Sequence, residues 1–434
     1  MHDIETFEDS NIKPVYKRNF ILFSIARLIS ELGSSMLSIA VSLYILDLTG
    51  SASTFSMLMA FTTLPSVMVN IFAGVLVDRM YKKKVILACE MVSGLVVLIF
   101  LLILRVDSKS IWLFAIFIIV LNFIQSIFIL ALNSSIVNIT VKENVARVNS
   151  SFQSIGAIVK VVGPICGAVA YKSIGLYLVI LIDGVSFIFA GILETCVVFS
   201  KSTVEDSGKY MERFKNVYKY INTQKAMKHM LVTVVIFNFI LSPIINVLLP
   251  YVCYQKIKIS AYQLSLIQAS WSGGFILGSI VVSIKKSINP ILDKWFLLIV
   301  LQGGLIMTWC FPNLPVFNGC SKSLITIIFC LILVVTGTVN GIFNIPAFTF
   351  LQVTTPEKLR ASVYGVVITA TLISVPVGMQ IYGLMIENIN WAFIIVASAI
   401  MMMLLGINGH NNKILRGFFV TETKDDKCIL DIPK

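Results

Sequence analysis

The stretch Gly74-Val-Leu-Val-Asp78-Arg79-Met-Tyr81-Lys82-Lys83-Lys84 decides the fold, because it sets an acid, an arginine and three lysines in a short link between two long apolar segments. About 20 consecutive apolar residues cross a bilayer as a helix, and such runs stand on either side of the link, at 53–77 and 85–105. Lys and Arg collect in cytoplasmic links between membrane helices. The stretch therefore reads as a tight inner turn between two membrane helices.

The rest of the chain has the same texture. Of 434 residues, 57% are hydrophobic and 13% charged, against about 45–50% and 25% in an ordinary soluble domain. Twelve spans are expected, at 20–46, 53–77, 85–105, 112–136, 151–173, 176–199, 229–252, 262–284, 294–311, 323–348, 363–386 and 390–408. The fold class is all-α integral membrane. The first nineteen residues carry Asp3, Glu5, Glu8 and Asp9 before Lys13, Lys17 and Arg18, and no small-residue cleavage site follows. They read as a cytoplasmic tail before a retained helix.

Threading the spans alternately places 26 of the 34 Lys and Arg residues inside and 6 outside, with Arg27 and Lys160 within spans. Both termini are then cytoplasmic, and the net charge of +12 faces an anionic inner leaflet of membrane lipids. No basic patch is interleaved with aromatics on a soluble domain, which argues against nucleic acid as a partner. Five segments result: a tail at 1–19, a six-helix bundle at 20–199, a linker at 200–228, a second six-helix bundle at 229–408 and a tail at 409–434. Met211, Phe214, Tyr218 and Ile221 in the linker have helical spacing, the pattern of an amphipathic helix lying on the membrane surface.

The halves resemble each other. Lys142-Glu-Asn-Val-Ala-Arg147-Val-Asn-Ser150 matches Glu357-Lys-Leu-Arg-Ala-Ser362-Val-Tyr-Gly365 at an offset of 215, which Gly163 and Gly378 share. The opening motif has a fainter partner running from Gly278 to Lys285 and Lys286, with Val282 in place of the acid. Parallel repeats of this kind place a substrate path near the membrane midplane.

Charges within a span are costly and mark a functional site by default. Arg27 and Glu31 in the first span, Lys160 in the fifth and Asp183 in the sixth are the deep ones; the second half offers only polar groups such as Asn238, Gln302 and Asn344. Counting about 1.5 Å per residue, Glu31 and Lys160 fall near the midplane, and Arg27 can pair with Glu31 at i, i+4. Asp183 lies nearer the outer face, within reach of Lys160. Two readings stand: structural ion pairs that hold the first half together, or a proton-accepting Glu31 tuned by Arg27 and Lys160. In Gly163-Pro164-Ile-Cys-Gly167, Pro bends the fifth span and Gly lets a neighbouring helix approach.

The Gly74–Lys84 stretch resembles the signature G-x-L-x-D-R-x-G-R-K-K of the major facilitator superfamily, with Tyr81 at the usual Gly and Lys82 at the usual Arg. Gly163-Pro164 resembles the G-P-x-x-G-G signature of exporting antiporters, with Ala168 at the last Gly. Together with Thr49-Gly-Ser-Ala52 and Arg147-Val-Asn-Ser150, these motifs resemble the macrolide-efflux-like, drug:proton antiporter branch. That resemblance implies two six-helix pseudo-repeats, alternating access, and proton-driven export of a small amphipathic substrate across the plasma membrane. It also implies that Gly74, Asp78, Arg79 and Lys83 form an inner gate. Asp78 would face a helix N-terminus near Ala361–Val363, and Arg79 and Lys83 would pair with Glu90 and Glu143. An importer or lipid-related permease, or a non-transporting membrane sensor, is the alternative. No cofactor, metal cluster or catalytic constellation is expected, and the chain reads as a monomer. Cys310 and Cys320 flank one outer link, close enough in sequence for a disulfide.

Overall fold

A computed structural model describes residues 9–72, 81–107, 109–139, 145–198, 223–284, 289–292, 294–317, 319–355 and 357–411. Among these the structure is helical. Eleven helices are long and apolar enough to cross a membrane, and one of them, Ser154–Thr195, runs for 42 residues. At about 1.5 Å per residue it is twice the length one crossing needs. It is broken at Gly175, whose φ of 79° and ψ of 168° lie where a side chain is not tolerated. Twelve spanning segments result.

The first six are α1 (Asp9–Thr49), α2 (Ala52–Phe72), α3 (Lys82–Leu104), α4 (Ile111–Ile139), and the two arms of Val145–Thr195, α5 (145–174) and α6 (176–195). The second six are α7 (Lys225–Pro243), α8 (Ala261–Ile284), α9 (Trp295–Met307), α10 (Lys322–Thr354), α11 (Glu357–Asn388) and α12 (Trp391–Asn411). Pro243 withdraws a backbone donor from α7, and two wider π turns follow at Ile244–Leu248 and Val252–Lys256. The link between α2 and α3 ends at Tyr81, which caps α3 with φ −68° and ψ 106°. That conformation is open to any residue, so Tyr is accepted here.

The chain forms two compact units, one of 1–44 and 65–207 and one of 45–64 and 208–434. In the first, α3 packs on α4 and α6, and Phe23, Ile86, Phe128, Leu132 and Phe152 form a buried core at the end where α3 and α5 begin. In the second, α8 lies along α10, α9 along α12, and α7 along α11. The α8 and α10 backbones touch through two small-residue pairs. A Cβ on Gly341 would stand 2.7 Å from Phe275 O, and one on Gly278 3.1 Å from Gly341 Cα; Gly274 and Gly337 meet the opposite backbone more closely still, at Val334 and Trp271. Small residues four apart on both helices permit this approach in a membrane. Within this second unit, residues from the ends of α1 and α2 are also held. Tyr254 Oη donates to Asp47 (2.7 Å), and Glu387 accepts from Ser51 Oγ (2.5 Å) and Ser53 N (3.1 Å).

Large apolar side chains face outward along the helices, among them Leu102, Trp112, Ile116, Leu331 and Phe393. Polar and ionisable side chains, Glu90, Asp183 and Glu194 among them, are buried within the protein. This inverts the soluble pattern and suits a surface solvated by lipid.

Candidate functional site

The α1–α5 contact in the first unit carries the site. Arg27 and Glu31 are four positions apart in a helix, so both lie on one face of α1, and Arg27 Nε binds Glu31 Oε1 at 2.6 Å with both side chains partly exposed. The Arg27 guanidinium also lies over the Phe152 ring of α5, 4.9 Å from its centroid, a cation–π contact that holds the arginine from its other side. Gly156, one turn along α5, leaves room for the pair: a Cβ there would meet Glu31 Oε2 at 3.8 Å and Arg27 at 3.9 Å.

Further along the same face, Gly163 and Gly167 bring α5 against α1. A Cβ at Gly167 would stand 2.7 Å from Met36 O, and one at Gly163 would collide with Ser35. Pro164 lies between them within the helix. The Gly163-Pro164-Gly167 motif is therefore the packing element that fixes α5 relative to Arg27 and Glu31.

Lys160 is exposed and, among the described residues, pairs with neither Glu31 nor Asp183. Asp183 is fully buried; Ser34 Oγ donates to its Oδ1 at 3.5 Å and Oδ2 has no partner. The expected reach between Lys160 and Asp183 is not made, because Asp183 turns inward against α1 at Gly33, where a Cβ would stand 2.7 Å from its carboxylate.

Two acids were not expected at depth. Glu90 of α3 is fully buried and accepts from Ser30 Oγ at 3.1 and 3.2 Å. Glu194 of α6 is 1% exposed, and neither carboxylate oxygen has a hydrogen-bond partner among the described residues. Lys83 does not meet Glu90. Its ammonium donates to Thr195 O (2.8 Å) and Val197 O (2.7 Å), neutralising the carbonyls that the end of α6 leaves open. Asn19 secures the same end, donating to Val198 O and accepting from Val198 N.

Gly74, Asp78, Arg79 and Glu143 lie outside the described residues, as does the stretch Met211–Ile221. Cys310 and Cys320 are not joined in a disulfide; Cys310 Sγ donates to Ala392 O. No group of metal-ligating side chains occurs among the described residues.

The Major Facilitator Superfamily profile matches residues 23–379. Among curated proteins, the chain is 28% identical over 236 residues to an uncharacterised transporter of this type, YkuC of Bacillus subtilis, covering 53% of this chain and 54% of that one. It is 21% identical over 272 residues to macrolide efflux protein A of Streptococcus pyogenes, covering 62% and 67%. A third relative, YfiS of Bacillus subtilis, is 20% identical over 91% of this chain and 94% of its own. Solved structures share the fold: a bacterial homologue of the human lysosomal transporter Spinster (TM-score 0.69, 12% identity, 94% of this chain and 98% of that one) and a mutant of the nucleoside transporter NupG (0.70, 12%, 90% and 98%).

Proposed function

The chain belongs to the major facilitator superfamily, and we propose that it is a secondary transporter that exports small amphipathic molecules across the plasma membrane in exchange for protons, by alternating access. The observation that carries the reading is the Arg27–Glu31 pair, 2.6 Å apart and partly exposed on a helix otherwise made to cross a bilayer. An ionisable pair in that setting is costly and is kept where it acts on a transported species. Glu31 can take up a proton and give up Arg27, which stays in place on Phe152; proton occupancy and pairing then exclude each other at one point. The similarity to macrolide efflux protein A supports efflux and an amphipathic substrate of macrolide type. The predicted inner-gate residues Gly74, Asp78, Arg79 and Lys83 belong to this reading, as do two cytoplasmic termini.

Cells that express the protein and cells that lack it, loaded with a panel of fluorescent amphiphiles, test it. Lower accumulation in expressing cells, reversed by a protonophore, is expected. Higher accumulation would identify an importer, and equal accumulation across the panel would refute export of this class of molecule.

A further inference from the structure

Three buried acids climb the interior of the first unit. Lys83 binds the Thr195 carbonyl, so the start of α3 and the end of α6 lie together. From that end Glu194 is one residue along α6, Glu90 seven residues along α3 and Asp183 twelve along α6, or roughly 2, 10 and 18 Å at 1.5 Å per residue. Glu90 is within reach of α6: a Cβ on Gly191 would stand 3.4 Å from Glu90 Cβ, and Glu194 is one turn beyond Gly191. From α1, Ser30 binds Glu90 and its neighbour Glu31 is partly exposed.

Among the described residues, the charged groups that act on these acids are of one sign. Glu90 meets the like charge of Asp183 and Glu31, Glu194 meets Glu90, and the Cys89 thiol sits near both Glu90 and Glu194. The α4 neighbour, Gln125, is neutral and donates to Ser93. Arg27 is committed to Glu31 and Phe152, and Lys83 to two carbonyls. Ser30 gives Glu90 a single hydroxyl donor, and Glu194 has no donor or cation among the described residues; closing such a carboxylate off from water costs several kcal/mol. Such a group is kept only if something neutralises it, and the ligand small enough for an enclosed side chain is a proton.

We propose that Glu90 and Glu194 form an internal proton-holding pair that links Glu31 to the Lys83 end of the bundle. The proposal rests on the proton-coupled reading above and adds the route. Glu90 takes up a proton at the carboxylate to which the Ser30 hydroxyl donates, on the side of α1 next in sequence to Glu31. Glu90 passes it to Glu194, which releases it at the end of α6, and each carboxylate returns to its starting state.

Glu90→Gln and Glu194→Gln test the route, because glutamine replaces a protonated acid at nearly equal volume and should leave the thermal midpoint unchanged. Purified full-length variants in lipid vesicles would be assayed with a fluorescent macrolide for uptake driven by an imposed pH difference and for counterflow without one. Each variant should lose pH-driven uptake by about a hundredfold or more and keep counterflow, and the corresponding Asp variants should recover part of the uptake. Infrared spectra of the wild type at neutral pH should contain a protonated-carboxyl stretch that weakens in Glu194→Gln. Glutamine variants that keep pH-driven uptake, or that lose counterflow with it, overturn the route alone. A wild type whose transport ignores the pH difference overturns the coupling and the route together.

Discussion

Replacing Gly167 by Ala should separate α5 from α1 and so loosen the site that rests on their contact. The added Cβ would stand 2.7 Å from Met36 O and 2.8 Å from Met36 Cα, where about 3.5–4.0 Å is an ordinary carbon contact. Both obstacles are backbone, so no rotamer change relieves them and the helices must part locally by about 1 Å. Overpacking of this kind costs about 1–3 kcal/mol. A midpoint of ~2 kcal/mol corresponds to a fall of about 4 °C in thermal midpoint for a large domain. Gly163→Ala provides the contrast, since its obstacle is the Ser35 side chain; the further change Ser35→Gly should rescue it and leave Gly167→Ala unrescued. The assay is thermal unfolding of five detergent-purified variants beside the wild type, Ser35→Gly alone among them, with the Gly163–Ser35 coupling taken from a double-mutant cycle. A Gly167→Ala protein with the wild-type midpoint, or one rescued by Ser35→Gly, would refute the close backbone approach.

Other perturbations divide the account into separable parts. Glu31→Gln should give a folded protein that exchanges substrate but no longer moves it uphill, read as counterflow against pH-driven uptake in vesicles; an unfolded product would make the residue structural. Lys83→Met removes two charge-assisted hydrogen bonds from the end of α6 and should cost about 1 kcal/mol, seen as faster hydrogen exchange near 193–198 with the rest of the helix unchanged. Asp78→Asn should leave expression near normal and reduce transport sharply; wild-type flux would reduce that motif to a topology signal.

What the sequence disclosed follows from which forces are local. Span positions were legible because desolvation of the backbone in lipid forces each crossing into one long apolar helix, and even the break near residues 173–176 coincides with Gly175 and its positive φ. Arg27 and Glu31 were legible as a pair because helical spacing alone brings them together. Depth along a helix gives no rotation about it, so the Lys160–Asp183 expectation failed: Asp183 points into the α1–α6 contact, while Lys160 is exposed. Glu90 and Glu194 were passed over for a related reason. Lying near the ends of their spans, they resembled acids that reach water, and the signal that Glu90 does not is Ser30, sixty residues away in sequence. Lys83 was expected to seek a carboxylate, yet the open carbonyls of a helix end supply the same negative potential, and no sequence pattern marks where that end will lie.

The central claim is that a proton gradient drives export, and it is tested most directly in everted membrane vesicles containing the wild-type protein and a fluorescent macrolide outside. Acidifying the vesicle lumen should start uptake of the probe at once, and a protonophore should release it. Uptake that is the same with and without the pH difference, or no uptake beyond that of vesicles lacking the protein, would contradict the claim.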